Sequence, residues 1–292
     1  MTILTIGNEQ LSVSVNTKGA ELWSVRTLPD GGEWLWQGDP QWWNGRAPIL
    51  FPIVGRTFGN KVSFAGKQYE MGIHGFARPA EFAVVEQGAD HVRLRLTDNA
   101  ETRKQYPFGF QLDVVFALEG GTLTNRGEVR NPGKERMPVS FGFHPAFNWP
   151  LPGGAGKQHW LTLAEKEEPL TSRLGKDLMT APGHNPSVFH DGRFAPAPKD
   201  FETDAIVIDM LKSRAITWGV VGGPSVAVTF ADQESLGIWQ KPGAPYICIE
   251  PWQGRTPVEG GSDALDQRPG AVWIAPGATR SFTLTVTPQR AG

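Results

Sequence analysis

The chain has 292 residues, which is enough for one large domain or two ordinary ones with a substantial hydrophobic core. Hydrophobic residues make up 39% of it and charged residues 20%, as in soluble globular proteins, and no apolar run approaches the ~18 residues of a membrane-spanning helix. The net charge of −2 gives no electrostatic reason to expect a nucleic acid or an anionic membrane as a partner.

The first residues and the single cysteine bear on the compartment. The N-terminal segment MTILTIGNEQ has no basic region followed by an apolar block, so we expect no signal peptide and a cytoplasmic location. With one cysteine, Cys248, no internal disulfide is possible, and its apolar neighbours favour packing as a small hydrophobic residue. No linker, charge run or low-complexity segment divides the chain, so we predict a single domain over residues 1–292.

Short strands dominate the predicted secondary structure. The chain contains 35 glycines and 24 prolines spread along its length, a composition that favours strands joined by turns over helices. Alternating or β-branched apolar runs predict strands at residues 3–6, 11–15, 21–25, 33–36, 61–65, 82–85, 91–96, 111–118, 122–124, 201–209, 215–220, 225–230, 237–239, 246–249, 271–274 and 281–287.

Only one helical turn is predicted, at residues 99–105, and residues 151–200 are expected to form a loop-rich excursion with short strands. Many short strands, often at a spacing of about 8–12 residues, indicate an all-β fold. We therefore predict a large antiparallel β-sandwich.

The segment GIWQKPGAPYICIEPWQG at residues 237–254 contains an acid where hydrophobic patterning does not call for one. An apolar run ends in Glu250, which Pro251 and Trp252 follow. Partial desolvation there would raise the pKa of the carboxyl group and make it a better base. The alternative interpretation is a glutamate at the end of a strand that caps a turn or pairs with an arginine.

Two histidines lie in comparable surroundings. His74 is flanked by Ile73 and by Gly75, a residue type that allows close approach of a ligand to the backbone. His144 follows an aromatic strand and precedes Pro145, which biases it towards extended geometry. Each could instead be a structural histidine bonded to the backbone.

The sequence lacks the motifs of several common enzyme classes. There is no GxGxxG before a helix, no Walker loop, no GxSxG elbow and no CxxC, so we expect no cofactor. His159, His184 and His190 share no metal-binding spacing, and we predict no metal. The remaining polar residues at predicted strand ends, Arg56, His74, His144, Asp204 and Glu250, suit metal-free proton transfer near neutral pH.

Five segments in order, PILFPIVGR, IHGFAR, FGFHPAFNWP, TDAIVI and GIWQKPGAPYICIEPWQG, resemble the aldose 1-epimerase (galactose mutarotase-like) family, most closely its bacterial LacX-like branch. The resemblance covers essentially the full chain and implies a β-supersandwich that interconverts the α and β anomers of an aldose. It further implies that Glu250 is the general base and His144 the general acid. Arg56, His74 and Asp204 match the family's residues for binding sugar hydroxyls, although Asp209 lies close enough to leave the aspartate open.

Three alternative functions are also compatible with the sequence. A hexose-6-phosphate 1-epimerase would need a basic cluster, for which Arg46, Arg78 and Lys241 are candidates. A carbohydrate-binding protein without catalysis would not need both His144 and Glu250. A glycoside hydrolase would need two carboxylates and would leave the histidines unexplained.

Four aromatic residues could supply a stacking surface for the sugar or could instead belong to the core: Trp239, Trp252, Phe143 and Trp149. The expected partner is a small sugar, with no nucleic acid or membrane, and the protein is expected to be a monomer or a homodimer.

Overall fold

The computed structural model of the protein describes residues 1–291 and confirms the all-β prediction. The strands are β1 (Ile3–Gly7), β2 (Leu11–Asn16), β3 (Glu21–Thr27), β4 (Ile49–Leu50), β5 (Lys61–Phe64), β6 (Lys67–Glu70), β7 (Ala83–Gln87), β8 (His91–Thr97), β9 (Gln111–Glu119), β10 (Thr122–Arg130), β11 (Met137–Val139), β12 (Phe141–Phe143), β13 (Ala146–Asn148), β14 (His159–Leu163), β15 (Ser172–Arg173), β16 (Arg193–Phe194), β17 (Ile206–Ile208), β18 (Ala215–Val220), β19 (Ser225–Thr229), β20 (Ser235–Trp239), β21 (Tyr246–Gln253), β22 (Val272–Ile274) and β23 (Thr279–Gln289).

Helical structure is limited to short segments. The α-helix α1 (Ala100–Gln105) begins where predicted, because the side chain of Asn99 accepts hydrogen bonds from the backbone N–H groups of Glu101 and Thr102. The 3₁₀ turns are Phe58–Asn60, Lys176–Leu178, Pro198–Phe201 and Leu265–Gln267. No helix within residues 1–291 is long and apolar enough to cross a membrane.

Two large antiparallel sheets form the sandwich. One has nine strands in the order β16-β14-β18-β19-β23-β10-β9-β8-β7, and the other follows β15-β17-β20-β21-β12-β4, with β13 also paired to β21. Phe141 from the second sheet stacks on Phe282 from the first, with ring centroids 4.9 Å apart. A side chain at Gly127, on β10, would collide with the ring of Phe141, so glycine permits this close contact between the sheets.

Smaller units complete the fold. The strands β1-β2-β3 form a separate sheet, and β5-β6 and β11-β22 form two-stranded ribbons. The largest buried apolar cluster includes residues from β1, β23 and most strands between them. The single domain over residues 1–292 stays a prediction.

Three predicted strands differ from the structure. Residues 33–36 form only isolated bridges, Arg26 to Glu33 and Leu35 to Phe147, rather than the second strand of a hairpin. The strand predicted at 201–209 is shortened to β17, because Pro198–Phe201 forms a 3₁₀ turn. The strand predicted at 246–249 is longer than expected, since β21 continues through Pro251 to Gln253.

Candidate active site

Strand β21 separates core residues from site residues by simple alternation. Ile247 and Ile249 belong to the main hydrophobic core. Successive residues of a strand point to opposite faces of the sheet, so the even-numbered residues of β21 face away from that core. This second face carries Tyr246, Cys248, Glu250 and Trp252.

A break in the pairing of β21 brings His144 beside Glu250. Strand β13 pairs with β21 at residues 246–248, and β12 pairs with it at residues 252–253. Between them, the Ile249 N–H donates to the carbonyl of Pro145 at 3.1 Å. Pro251, which has no N–H, lies in this interval, where it removes no bond to β12 or β13. Glu250 therefore lies within a strand, whereas the sequence had suggested that it lies at the end of one.

The His144 and Glu250 side chains are in direct contact. His144 Nε2 lies 3.1 Å from Glu250 Oε2, and both residues are buried. The indole of Trp43 stacks on the imidazole with centroids 5.0 Å apart, and Trp239 meets it edge-on at 5.9 Å. The aromatic rings thereby fix the imidazole next to the carboxyl group.

Burial shifts both pKa values of the pair towards the uncharged forms. Desolvation, and secondarily the charge of Asp204, raises the pKa of Glu250 well above its usual 4.5. The indole of Trp252 opposes this rise, although its nitrogen makes no hydrogen bond within residues 1–291. Desolvation lowers the pKa of His144 from 6.5 to about 3. The pair therefore holds one proton over a wide pH range, because the second binds only in strong acid.

His74 has an unusual backbone that is fixed by its neighbours. Its φ of 62° lies in the left-handed region, and its Nδ1 accepts the Gly55 N–H at 3.0 Å. Gly75 is required next, because a side chain there would collide with the Phe51 carbonyl. Since desolvation keeps the pKa of His74 well below 6.5, the neutral ring presents its Nε2–H as a donor.

Two arginines lie on the cavity wall with donor capacity left over. The Nε atoms of Arg56 and Arg78 are buried and have no hydrogen-bond partner within residues 1–291. Arg78 uses one terminal nitrogen to donate to the Ile73 carbonyl at 3.2 Å. Both guanidinium groups could therefore donate hydrogen bonds to an oxygen-rich ligand.

The geometry distinguishes the two aspartates that the sequence left open. Asp204 lines the cavity with a φ of 71°, and its Oδ1 accepts the Ala205 N–H at 2.7 Å. Asp209 is instead engaged by Arg255 at 2.9 Å and by His184 at 3.5 Å. Asp204 is therefore the aspartate available to a ligand in the cavity.

Two of the four candidate stacking residues reach the cavity. Trp239 and Trp252 line it, whereas Phe143 is fully buried in the core and Trp149 packs on Trp218 with centroids 5.1 Å apart. Trp252 lies over glycines of both flanking strands. A side chain on Gly142 or Gly237 would approach its ring to 2.7 Å or 2.5 Å.

These side chains line one cavity of about 210 Å³, and all five site residues predicted from the sequence are among its lining residues. Sequence reasoning missed Trp43 and Thr256 and considered Arg78 only for phosphate. Arg78 could have been found from sequence, because it is the last residue of the IHGFAR segment, which also contains His74. Nothing local in the sequence marks Trp43. The full lining is Trp43, Gly55, Arg56, Ile73, His74, Arg78, His144, Leu174, Leu178, Asp204, Ala205, Trp239, Glu250, Trp252 and Thr256.

The three histidines without a pattern lie apart from the cavity. His159 is structural, since its Nε2 accepts the Leu151 N–H at 3.1 Å and its Nδ1 lies 2.9 Å from the Lys157 carbonyl. His184 and His190 each contact a single acid. Within residues 1–291 one group has metal-ligand spacing, and it consists of His144, Cys248 and Glu250.

The sequence is similar to known proteins over nearly its whole length. The sequence profile of the family described as "Aldose 1-epimerase" matches residues 2–260. The plasmid-encoded Protein LacX of Lactococcus lactis subsp. lactis is 33% identical over 300 aligned positions, covering 98% of this chain and 99% of the relative.

Solved structures give the same result. A galactose mutarotase related enzyme from Lactobacillus acidophilus is similar with a TM-score of 0.93 and 30% identity, covering 99% of this chain and 98% of its own. A galactose mutarotase-like protein from Lactobacillus casei ATCC 334 has a TM-score of 0.90 and 27% identity, covering 99% of this chain and 100% of its own.

Proposed function

The chain belongs to the aldose 1-epimerase family, and we propose that it interconverts the α and β anomers of a hexose by acid–base opening and closure of the ring. Family membership supports the class, a sugar epimerase. The observation that carries the finer proposal is the contact between His144 Nε2 and Glu250 Oε2, 3.1 Å apart at the wall of the cavity.

An acid and a base this close suit the anomeric carbon of a sugar. The C1 hydroxyl oxygen and the ring oxygen are bonded to the same carbon, so two groups 3.1 Å apart can each reach one of them. In the tautomer of the pair that has its one proton on His144, the carboxylate of Glu250 takes the proton from the C1 hydroxyl while His144 gives its proton to the ring oxygen. The C1–O bond of the ring breaks and leaves an aldehyde.

Ring closure reverses the roles. After rotation about the C1–C2 bond, Glu250 returns its proton to the aldehyde oxygen and His144 withdraws the proton from the hydroxyl that attacks C1. The pair holds one proton before and after the cycle, so the reaction needs no net proton from solvent. A general acid or base that raises the rate by ~10²–10⁴-fold is sufficient for this reaction, because anomers already interconvert slowly in water.

The other cavity residues are assigned to positioning the sugar. The Nε2–H of His74 and the guanidinium of Arg56 donate to hydroxyl oxygens, and the carboxylate of Asp204 accepts from hydroxyl groups. The rings of Trp43 and Trp239 provide apolar surface for the faces of the sugar.

The direct test is proton NMR of freshly dissolved α-D-glucose and α-D-galactose at low buffer concentration, with and without protein. We expect the β-anomer signal to appear faster with protein and to reach the same equilibrium ratio. Tight binding of a sugar without acceleration would favour the non-catalytic alternative. A methyl glycoside serves as control, and release of a reducing sugar from it would favour a glycoside hydrolase.

A hexose phosphate is the second candidate substrate, favoured by the free donor capacity of Arg78. Of the three candidate basic residues, however, Arg78 lines the cavity and Arg46 and Lys241 do not. Arg46 donates to the Trp23 carbonyl and to Gln37, and Lys241 donates to the Gln41 carbonyl. If phosphate is bound, kcat/KM should be higher for glucose 6-phosphate than for glucose, and Arg78→Ala should abolish that preference. Equal values for the two sugars would exclude this candidate.

Exchanging each aspartate for asparagine should separate Asp204 from Asp209. We expect Asp204→Asn to raise KM for the sugar roughly 10-fold or more, the effect of losing one charged hydrogen bond of about 1.5–3 kcal/mol. Asp209→Asn is the matched control, since Asp209 contacts Arg255 outside the cavity lining. The same rise in KM for both variants would show that the assignment of Asp204 is wrong.

The rate should vary little with pH around the usual pKa of glutamate. The one-proton form of the pair is the active form, and it persists between the lowered pKa of His144, about 3, and the raised pKa of Glu250. We therefore expect kcat/KM, corrected for spontaneous mutarotation, to stay level as the pH rises through 4.5, the usual pKa of glutamate, and to fall only above the raised pKa of Glu250. Inflections near 4.5 and 6.5 would mean that the two groups titrate normally.

A further inference from the structure

Cys248 lies beside the proposed acid–base pair but has no part in the mechanism. It precedes Glu250 by two residues on β21, so the two side chains project from the same face of the strand. Its thiol is fully buried. The ligating atoms of His144, Cys248 and Glu250 all lie within 4.8 Å of one another.

These three donors match the preferences of a zinc-like ion. Thiolate, imidazole and carboxylate are the zinc ligands of proteins, and catalytic zinc sites combine three of them with one open position. In a tetrahedral zinc site the ligating atoms are about 3.3–3.6 Å apart, as follows from bond lengths of 2.0–2.3 Å. The Nε2 to Oε2 distance of 3.1 Å is close to this value, and bringing the sulfur from at most 4.8 Å to this separation requires a side-chain movement of no more than about 1.5 Å.

Access and imidazole chemistry also fit such an ion. His144 and Glu250 line the cavity, which provides an entry path and a position for a fourth ligand such as water. The Nδ1 atom of His144 has no hydrogen-bond partner within residues 1–291, so no neighbour forces the proton onto Nε2. A neutral imidazole with Nε2 free is the ligating form.

We propose that His144, Cys248 and Glu250 form a binding site for a thiophilic divalent cation, with Zn²⁺ as the type case, and that its occupancy inhibits the protein. The inhibitory part rests on the proposed function, because the ion would take the lone pairs that Glu250 and His144 need for proton transfer. The binding part does not depend on that function.

Binding is an exchange of the cation for two protons. One proton leaves the thiol of Cys248, and the other is the proton shared by His144 and Glu250. The site is neutral before the exchange, and a divalent ion with one thiolate, one carboxylate and one neutral imidazole is neutral after it. The buried site therefore acquires no net charge, which removes the main electrostatic cost of placing an ion there.

The test uses Co²⁺ as a spectroscopic probe on the full chain. Titration of the wild-type protein should produce the near-ultraviolet charge-transfer absorption of a thiolate bound to cobalt, and Zn²⁺ should abolish it by competition. Cys248→Ala should lack the absorption, and so should Cys248→Ser, which covers the case in which one variant folds poorly. Absence of the absorption in wild-type protein, or its persistence in a folded Cys248 variant, would overturn the proposed site.

Inhibition is measured separately by the anomer assay. We expect Zn²⁺ to inhibit the wild-type protein and a chelator to restore its activity. The Cys248 variants should keep basal activity but need at least about tenfold more Zn²⁺ for the same inhibition, since even partners outside the first ligand sphere carry effects of that size. His184→Ala is the control, because it removes an exposed histidine–aspartate contact. Equal inhibition of wild-type and Cys248→Ala proteins would overturn the inhibitory role.

Discussion

Replacing Glu250 by glutamine should lower kcat/KM for anomer interconversion at least ~100-fold and leave the protein folded. The amide has the shape of the carboxyl group but cannot take a proton from the C1 hydroxyl. Folding should be retained because the amide matches the carboxyl group in size and because burial already disfavours the charged form of Glu250. The rate is measured by NMR or polarimetry, and folding by circular dichroism and Tm.

Glu21→Gln provides a matched control for this variant. Glu21 is another glutamate whose pKa is raised by burial, and it accepts the backbone N–H groups of Arg46 and Ala47 at 2.8 and 3.0 Å. It does not line the cavity that holds Glu250. We expect its variant to retain activity. A Glu250→Gln protein with a rate near wild type would remove the general base from the proposal.

Replacing His144 by alanine should reduce kcat/KM by ~10²–10⁴-fold, the range for loss of a general acid. His144 contacts Glu250 at 3.1 Å and is stacked on Trp43, so the variant removes both the proposed proton donor and the group that completes the pair. Glu250 remains in this variant, but no group placed beside the ring oxygen can protonate it. The measurement is the initial rate of anomer conversion at saturating and limiting sugar.

The histidine control is His91→Ala. His91 is half-buried on β8 and contacts Asp90 at 2.9 Å and Glu86 at 3.3 Å, and it does not line the cavity. Those acids raise the pKa of His91, whereas burial lowers the pKa of His144, so the surroundings of the two imidazoles shift their pKa values in opposite directions. Activity should be unchanged in His91→Ala. An equal loss in the two variants would indicate a nonspecific effect and an incorrect assignment of the acid.

Many of the strands and turns could be predicted from the sequence, because apolar alternation and turn residues are short-range features of the chain. Alternation places β2, β8 and β9, and Gly120-Gly121 correctly marks the turn between β9 and β10. The β21 alternation also explains why Glu250 faces the cavity while Ile249 faces the core.

What the sequence could not provide is long-range pairing. Pro251 suggested the end of a strand, yet β21 passes through it because β13 and β12 pair on either side of that position. The contact between Trp43 and His144 joins residues about a hundred positions apart, and no periodicity encodes it. For the same reason sequence could name Arg46 and Arg78 as candidates for binding phosphate but could not tell whether they lie together. In the structure Arg46 lies over the Trp23 ring, 3.8 Å from its centroid.

The measurement that tests the central claim most directly is magnetisation exchange between the α and β anomeric protons of a hexose at equilibrium. An enzyme that opens and closes the ring accelerates exchange without altering the anomer ratio. We predict faster exchange with wild-type protein and exchange near the spontaneous rate with Glu250→Gln. Spontaneous exchange in the presence of folded wild-type protein, for free and phosphorylated hexoses alike, would contradict the account.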